Sequence, residues 1–455
     1  MNGANISVVH PYDIQDKTDQ AWSGSGNIRE PISSPGQVIL QALQHSEYSS
    51  AVSSILRTHF EAPSCRMCSS VSKSTEPMPR FLIDSLSDLI QSESVVPNEI
   101  RKVLPLLRGT KGVLPKLTAN KSYEVVSQFI RTFCRCSTCD QVPYSDRICI
   151  KLDDDTRIEI PQFFDFHLLR HMLLDDETAL LGSLSHTRPL DIRGGKRTCL
   201  FSETFDGRFI IKSLLPSEVR KWEKNHRAFL WYFMRGVFQT NPTILVPLMG
   251  VFIIRRNHPA ESGAYVIMRN MSHNLIGSPV FDLKGMGPKR SKKQACISVE
   301  KLPDSPPPDV VDVLWDGDLR DLCGHKPIVI NADSLALIED SLVNDTLFLS
   351  ELDIVDYSMI LCCNDIREGF PDGKIIVGII DYLREYTWEK KIESVVKSIN
   401  SNLAAVGNRI SWKPDISAKA HVCNLELANT PTIIRPDLYG RRFRKNISSL
   451  FTSSR

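Results

Sequence analysis

The sequence has no long hydrophobic run. Its longest mainly apolar stretch, residues 244–254, is about half of the ~20 residues that a membrane-crossing helix needs. No charged-then-apolar segment opens the chain, so nothing in it reads as a secretory signal. Net charge is nearly absent, +2 over 455 residues, but that balance averages unlike regions. The 12 cysteines are scattered through apparent core strands, as at Cys199, Cys362 and Cys363, and do not form the spaced framework of a disulfide scaffold. These absences lead us to expect a cytosolic protein without a transmembrane segment. No internal repeat is visible either.

The remainder is ordinary for a globular protein: 42% hydrophobic and 24% charged, with length for two to four domains and a sizeable core. Residues 1–50 are polar, and we expect mostly disorder, or else a short helix, there. Residues 51–180 read as a mostly helical, cysteine-containing region, with Phe81, Leu82, Leu86, Leu89 and Ile90 recurring at helical spacing and prolines at 97, 105 and 115 cutting it into short pieces. Strands dominate from about residue 182, interrupted by a helix over 217–238 that carries Trp222, Phe229 and Phe233 on one face. A second helix is expected over 334–349. Charge is locally concentrated: residues 383–455 hold 13 Lys and Arg against 6 Asp and Glu, and residues 284–293 hold five bases and no acid. Such patches suit an anionic partner, whether phosphate, nucleic acid or an acidic membrane surface. The basic patches lack interleaved aromatics or a recognisable binding module, which argues against nucleic acid.

The rest of the chain is read around residues 352–391. Two apolar runs, 359–363 and 375–380, are each too short for a helix, and a polar segment ending in Phe370-Pro371-Asp372-Gly373 separates them. They read as a buried β-hairpin. If 364–374 form the loop, Asp381 lies beside residue 357, which brings Asp356 and Asp381 to one end of the hairpin. One carboxylate could then orient a hydroxyl nucleophile while the other holds magnesium on a triphosphate. The alternative is that both are turn residues at strand ends.

Two further features carry chemistry. Arg193-Gly194-Gly195-Lys196 suits a turn whose backbone approaches phosphates, and Lys212, set in the apolar strand 209–213, would point inward to meet them. Cys65/Cys68 and Cys136/Cys139 are two Cys-x-x-Cys pairs that could close a tetrahedral zinc site, although the gap between them is longer than in compact zinc modules.

The ordered set RGGK (193–196), RFIIK (208–212), RNMSH (269–273), FDLKG (281–285), VLWDGDL (313–319), LDIVDYS (352–358), GIIDYLREYTWEKKIESVVKS (378–398) and RPDLYGRRF (435–443) resembles the catalytic domain of the phosphatidylinositol phosphate kinase family. Within that family it is most similar to the PIKfyve-type phosphatidylinositol 3-phosphate 5-kinases, and the resemblance covers roughly residues 180–455. It implies an α+β, two-lobed lipid kinase fold with mainly antiparallel sheets, preceded by the helical cysteine-containing region. The catalytic domain would run over 181–455, with an N-lobe of 181–275, a C-lobe of 276–455 and an activation loop of about 382–434. The resemblance assigns Lys212, with the Gly194, Gly195 and Lys196 turn, to ATP, Asp356 to the catalytic aspartate, and Asp381 to the magnesium ligand. Asp282, Lys284, Lys289 and Arg290 would surround phosphates at the active-site mouth. Lys390 and Lys391 would engage an anionic, phosphoinositide-bearing membrane of the endosomal or vacuolar system, peripherally. The protein-kinase signatures HRDxxxxN and DFG are absent, which fits a lipid kinase better than a protein kinase. Departures at Arg197-Thr198-Cys199-Leu200 and at Met286 leave open another phosphatidylinositol monophosphate as substrate, or a catalytically weak scaffold that binds protein partners.

Overall fold

A computed structural model of the chain describes residues 7–9, 11–12, 34–60, 106, 147–174, 177–193, 199–237, 242–273, 279–287, 290–291, 310–363, 366–367, 370–371, 373–386 and 434–453. Among these residues seven strands make one wholly antiparallel sheet. In spatial order they are Arg147–Lys151, Thr156–Pro161, Leu248–Arg256, Gly263–Arg269, Phe209–Leu214, Phe201–Thr204 and Thr187–Pro189. The first two lie in the region expected to be helical. Their alternation is short and mixed with charge, Arg-Ile-Cys-Ile-Lys and Thr-Arg-Ile-Glu-Ile-Pro, and it is pairing with Leu248–Arg256 that fixes them as strands. The sheet therefore begins well before residue 181.

A second, mixed sheet of six strands contains the hairpin. Its order is Val8–Val9, Ile375–Ile380, Ser358–Cys363, Val280–Leu283, Val310–Trp315 and Asp191–Arg193. The hairpin is antiparallel, with Ser358 opposite Ile380 and Cys363 opposite Ile375. Its polar connection adds a small ladder of its own, Ile366–Arg367 against Phe370–Pro371. The two edge strands are parallel to their neighbours, and Val280–Leu283 is parallel to Val310–Trp315; with the first sheet wholly antiparallel, the fold is α+β with mainly antiparallel pairing.

The helix Pro216–Val237 starts with proline at its first position, where a missing N–H costs nothing. Its first half is amphipathic, but every residue from Ala228 to Val237 is buried. That all-round burial places it in the core. Phe229 packs on Tyr382 with ring centroids 5.5 Å apart, and Tyr232 stacks on Phe348 at 3.9 Å, which ties this helix to the hairpin's last strand and to the helix Ala332–Glu351. The C-terminal helix Pro436–Ser448 crosses Ala332–Glu351 closely, because Gly440 lets Ser350 Oγ and Thr346 approach. Tyr439 and Phe443 from that helix enclose the ring of Tyr357. Arg442, one of the bases of the 383–455 segment, is buried over the Tyr439 ring.

The described N-terminal residues also pack. Helices Pro35–Gln44 and Ser46–Phe60 bury Val38, Ile39, Ala42 and Val52, and Gly36 abuts Thr187 and Ile211 of the first sheet. No described helix is long and apolar enough to cross a membrane.

Candidate active site

Lys212 lies in the strand Phe209–Leu214 between Phe201 and Val266 of the neighbouring strands. Adjacent strand residues face opposite ways. Ile211 meets the N-terminal helix, and Lys212 turns into the space between the sheets, 5% exposed. A buried ammonium needs partners, and Lys212 Nζ has two: Asp381 Oδ1 at 2.6 Å and Glu218 Oε1 at 3.5 Å. Burial alone would lower the Lys212 pKa, but the charges of Asp381 and then Glu218 more than reverse this and raise it. Glu218 also accepts from the Leu215 N–H at 2.8 Å, half of a capping box for the helix Pro216–Val237. One side chain thus starts the helix and holds the lysine.

The hairpin register carries the two aspartates to one end, as Ser358 opposite Ile380 requires. Both leave their strands in the left-handed backbone region, with φ of 65° at Asp356 and 62° at Asp381. Such conformations cost energy in residues with a Cβ and gather at functional sites, although Asp tolerates them better than most. Asp381 keeps 43% of its side chain exposed. Its desolvation would raise its pKa, but the charge and hydrogen bond of Lys212, with help from Lys284, bring it below the ordinary carboxylate value, so it is ionised at neutral pH. Asp356 is buried, with Lys284 Nζ at 2.8 Å from Oδ1 and 2.6 Å from its main-chain oxygen, and with Arg384 on Oδ2.

Lys284 is aimed by the turn that follows Val280–Leu283. Asp316, itself buried, accepts from the N–H groups of Lys284 and Met286 and from Arg290 at 3.0 Å. Gly285 has φ of 62°, and a Cβ there would meet the Phe443 backbone at 3.1 Å. Arg290 pairs with Asp282 at 2.6 Å and lies over the Trp315 ring. Asp282, Lys284 and Arg290 therefore sit beside the aspartates, with both cations engaged by carboxylates of the chain itself.

Lys212, Leu214, Val246, Leu248, Val266, Met268, Ile380, Asp381, Tyr382 and Leu383 line a slot of about 300 Å³, part of it open to solvent. The slot has apolar walls and a charged end. The donor set at that end suits magnesium, which takes one or two carboxylates together with phosphates and water. Asp381 offers carboxylate surface to the slot, and among the described residues no group of three or more His, Cys, Asp or Glu could hold a metal ion by itself.

Of the residues singled out in the sequence, the structure thus brings together Lys212, Asp356, Asp381, Lys284, Asp282 and Arg290. Gly194, Gly195, Lys196, Lys289, Lys390, Lys391 and the cysteines Cys65, Cys68, Cys136 and Cys139 lie outside the described residues. Sequence reasoning missed Glu218, Asp316 and Arg384. Glu218 had a signal in the Pro-Ser-Glu helix start, whereas Arg384 is one of many bases in a basic segment.

A buried lysine bridging two carboxylates at the charged end of an apolar slot is an arrangement that can meet phosphate charge. The model of the phosphatidylinositol-4-phosphate 5-kinase family matches residues 185–375. Among individual proteins, the chain is 30% identical over 292 residues to the human 1-phosphatidylinositol 3-phosphate 5-kinase, a match that takes in 63% of this chain and 12% of that protein. It is 29% identical over 289 residues to the FAB1 1-phosphatidylinositol 3-phosphate 5-kinase of Saccharomyces cerevisiae, covering 62% of this chain and 11% of that protein. For FAB1A of Arabidopsis thaliana, a 1-phosphatidylinositol-3-phosphate 5-kinase, the values are 27% over 291 residues, 63% and 14%. The chain thus resembles the phosphatidylinositol phosphate kinase family, as its motifs indicate, and within it the 3-phosphate 5-kinases. It spans only about an eighth of the length of these relatives.

Proposed function

We propose that this chain is an ATP-dependent lipid kinase that phosphorylates the 5-hydroxyl of phosphatidylinositol 3-phosphate at the cytosolic face of endosomal or vacuolar membranes. The observation that carries the reading is the pairing of Lys212 with Asp381 at the charged end of the slot, with Asp356 carried to the same end of the hairpin. The apolar side chains of Val246, Leu248, Val266 and Met268 suit an adenine ring. Lys212 compensates phosphate charge, and Glu218 keeps its ammonium at the slot's end. Asp381 would hold magnesium against the phosphates, and the metal would neutralise charge as the γ-phosphoryl group moves. Asp356 orients the hydroxyl and takes its proton. The substrate assignment is supported by the printed names of the relatives, and membrane attraction by the surplus of bases over acids in residues 383–455.

Labelled ATP offered with each of the three monophosphorylated phosphatidylinositols, and products separated by thin-layer chromatography, tests this. Transfer to the 3-phosphate lipid well above the others is expected. Preferred transfer to another monophosphate would move the substrate assignment, and transfer to none would overturn the kinase reading.

A further inference from the structure

Asp356 is held by more positive charge than it carries. Its carboxylate is 4% exposed and accepts Lys284 at Oδ1 and Arg384 at Oδ2. A carboxylate with a cation on each oxygen is a poor proton acceptor, so one of the two must leave before Asp356 can act as a base. The exposures identify which. The Lys284 side chain is 13% exposed and is also bonded to the Asp356 main-chain oxygen, whereas Arg384 is 35% exposed. The Arg384 backbone is fixed, because its carbonyl accepts from Val355 N–H at 3.2 Å and, two residues on, Tyr386 N–H donates to the Asp353 carbonyl at 3.0 Å. Its side chain alone is left to move. It stands one residue beyond Leu383, which lines the slot. A phosphate dianion outbids a single carboxylate oxygen for a guanidinium, which binds phosphate through two parallel hydrogen bonds.

Building on the lipid-kinase reading, we infer that Arg384 is a specificity-determining residue: it binds the phosphate already present on the inositol headgroup, and in doing so releases Asp356 for the reacting hydroxyl. In the step that follows, the hydroxyl oxygen forms the new bond to the γ-phosphorus. The bond from that phosphorus to the β-phosphate oxygen breaks, the hydroxyl proton passes to Asp356, and ADP leaves. An unphosphorylated headgroup cannot draw Arg384 away, so the carboxylate stays capped.

The test compares wild type, Arg384→Ala and Arg384→Lys on soluble short-chain phosphatidylinositol 3-phosphate, with inositol 1,3-bisphosphate and inositol 1-phosphate as competitors. A charge-assisted bond of the usual strength corresponds to roughly 10- to 150-fold. Arg384→Ala should therefore raise KM for the lipid and the inhibition constant of the 1,3-bisphosphate by about 30-fold. It should change kcat and inhibition by the 1-phosphate by less than about threefold, and Arg384→Lys should recover part of the loss. Equal loss of affinity for both competitors, or a fall confined to kcat, would show that Arg384 only holds the loop and would overturn the inference. So would a wild-type protein that does not prefer the 1,3-bisphosphate. Wild-type activity with unchanged competitor preference in Arg384→Ala sinks this inference alone, whereas no wild-type transfer to the lipid sinks the kinase reading with it.

Discussion

Replacing Asp381 by asparagine separates the chemistry of the site from its architecture. Asparagine tolerates a φ of 62° about as well as aspartate, so the backbone at the strand end is not strained further. The lost interaction is the 2.6 Å pair with Lys212. A charge-assisted hydrogen bond contributes roughly 1.5–3 kcal/mol, but Asp381 is 43% exposed and solvent screens its charge, and Glu218 remains beside the ammonium. A stability loss of about 1 kcal/mol is the result, equivalent to about 1–2 °C in Tm for a chain of this length. Catalysis should suffer far more, because a neutral amide is a poor magnesium ligand and the metal is what would offset phosphate charge there. Removing one such electrostatic group costs on the order of 10²- to 10³-fold in kcat. Lipid phosphorylation with labelled ATP, measured beside thermal melting, reads both quantities. If Asp381→Asn kept more than about a tenth of wild-type activity, a loss under ~1.4 kcal/mol of barrier, the metal role would be refuted. A collapse in Tm would show the residue to be structural.

Lys212→Met should raise KM for ATP and lower kcat together, since the ammonium acts in ground and transition states alike; unchanged binding of a fluorescent ATP analogue with persistent activity would reduce it to a strand residue. Asp345 is buried within the helix Ala332–Glu351, where burial raises its pKa to about 7 against three accepted hydrogen bonds from Tyr232, Thr243 and Ile244. The folded state then binds more protons than the unfolded one between pH 4 and 7, so this residue's contribution declines as pH rises through that window. Asp345→Asn should remove that slope and lower stability by about 1–3 kcal/mol, because its amide donors face other donors; parallel melts at pH 5 and pH 7.5 decide, and an unaltered slope would contradict it. Lys390→Glu with Lys391→Glu changes four charges and, at about 1 kcal/mol per base, should weaken binding to anionic liposomes by two or more orders of magnitude while sparing a soluble lipid. Equal losses on both would move these lysines into the active site. Elemental analysis should find about one zinc per chain, lost on joint substitution of Cys136 and Cys139 by Ser, if the four cysteines form a closed site.

The hairpin was legible because two short apolar runs and a turn-rich connection fix both strand type and register, and the register alone carries Asp381 to Asp356. Lys212 was legible for a similar reason: a lysine inside Phe-Ile-Ile-Lys must either be exposed or have buried partners, although the sequence did not name Glu218. What could not be read depended on distant pairing. Val8–Val9 is two residues long and is a strand only because Ile375–Ile376 lies beside it. Arg147–Lys151 and Thr156–Pro161 do alternate, at Ile148/Ile150 and Ile158/Ile160, but over only five or six positions, and that signal was missed. The bases of 284–293 looked free for substrate phosphates, yet Arg290 is matched by Asp282 and Asp316 and Lys284 by Asp356. Local charge counts do not show which acids the fold returns to the same place.

The roles proposed for Lys212, Asp356 and Asp381 in phosphoryl transfer to a phosphoinositide depend on where the new phosphate is placed. The most direct measurement is positional analysis of the product formed by purified protein from labelled ATP and phosphatidylinositol 3-phosphate, with Asp356→Asn run alongside. Label at the 5-position is expected for wild type, with a loss of about 10²-fold or more for the variant. Label at another position, or equal transfer by Asp356→Asn, would contradict these roles.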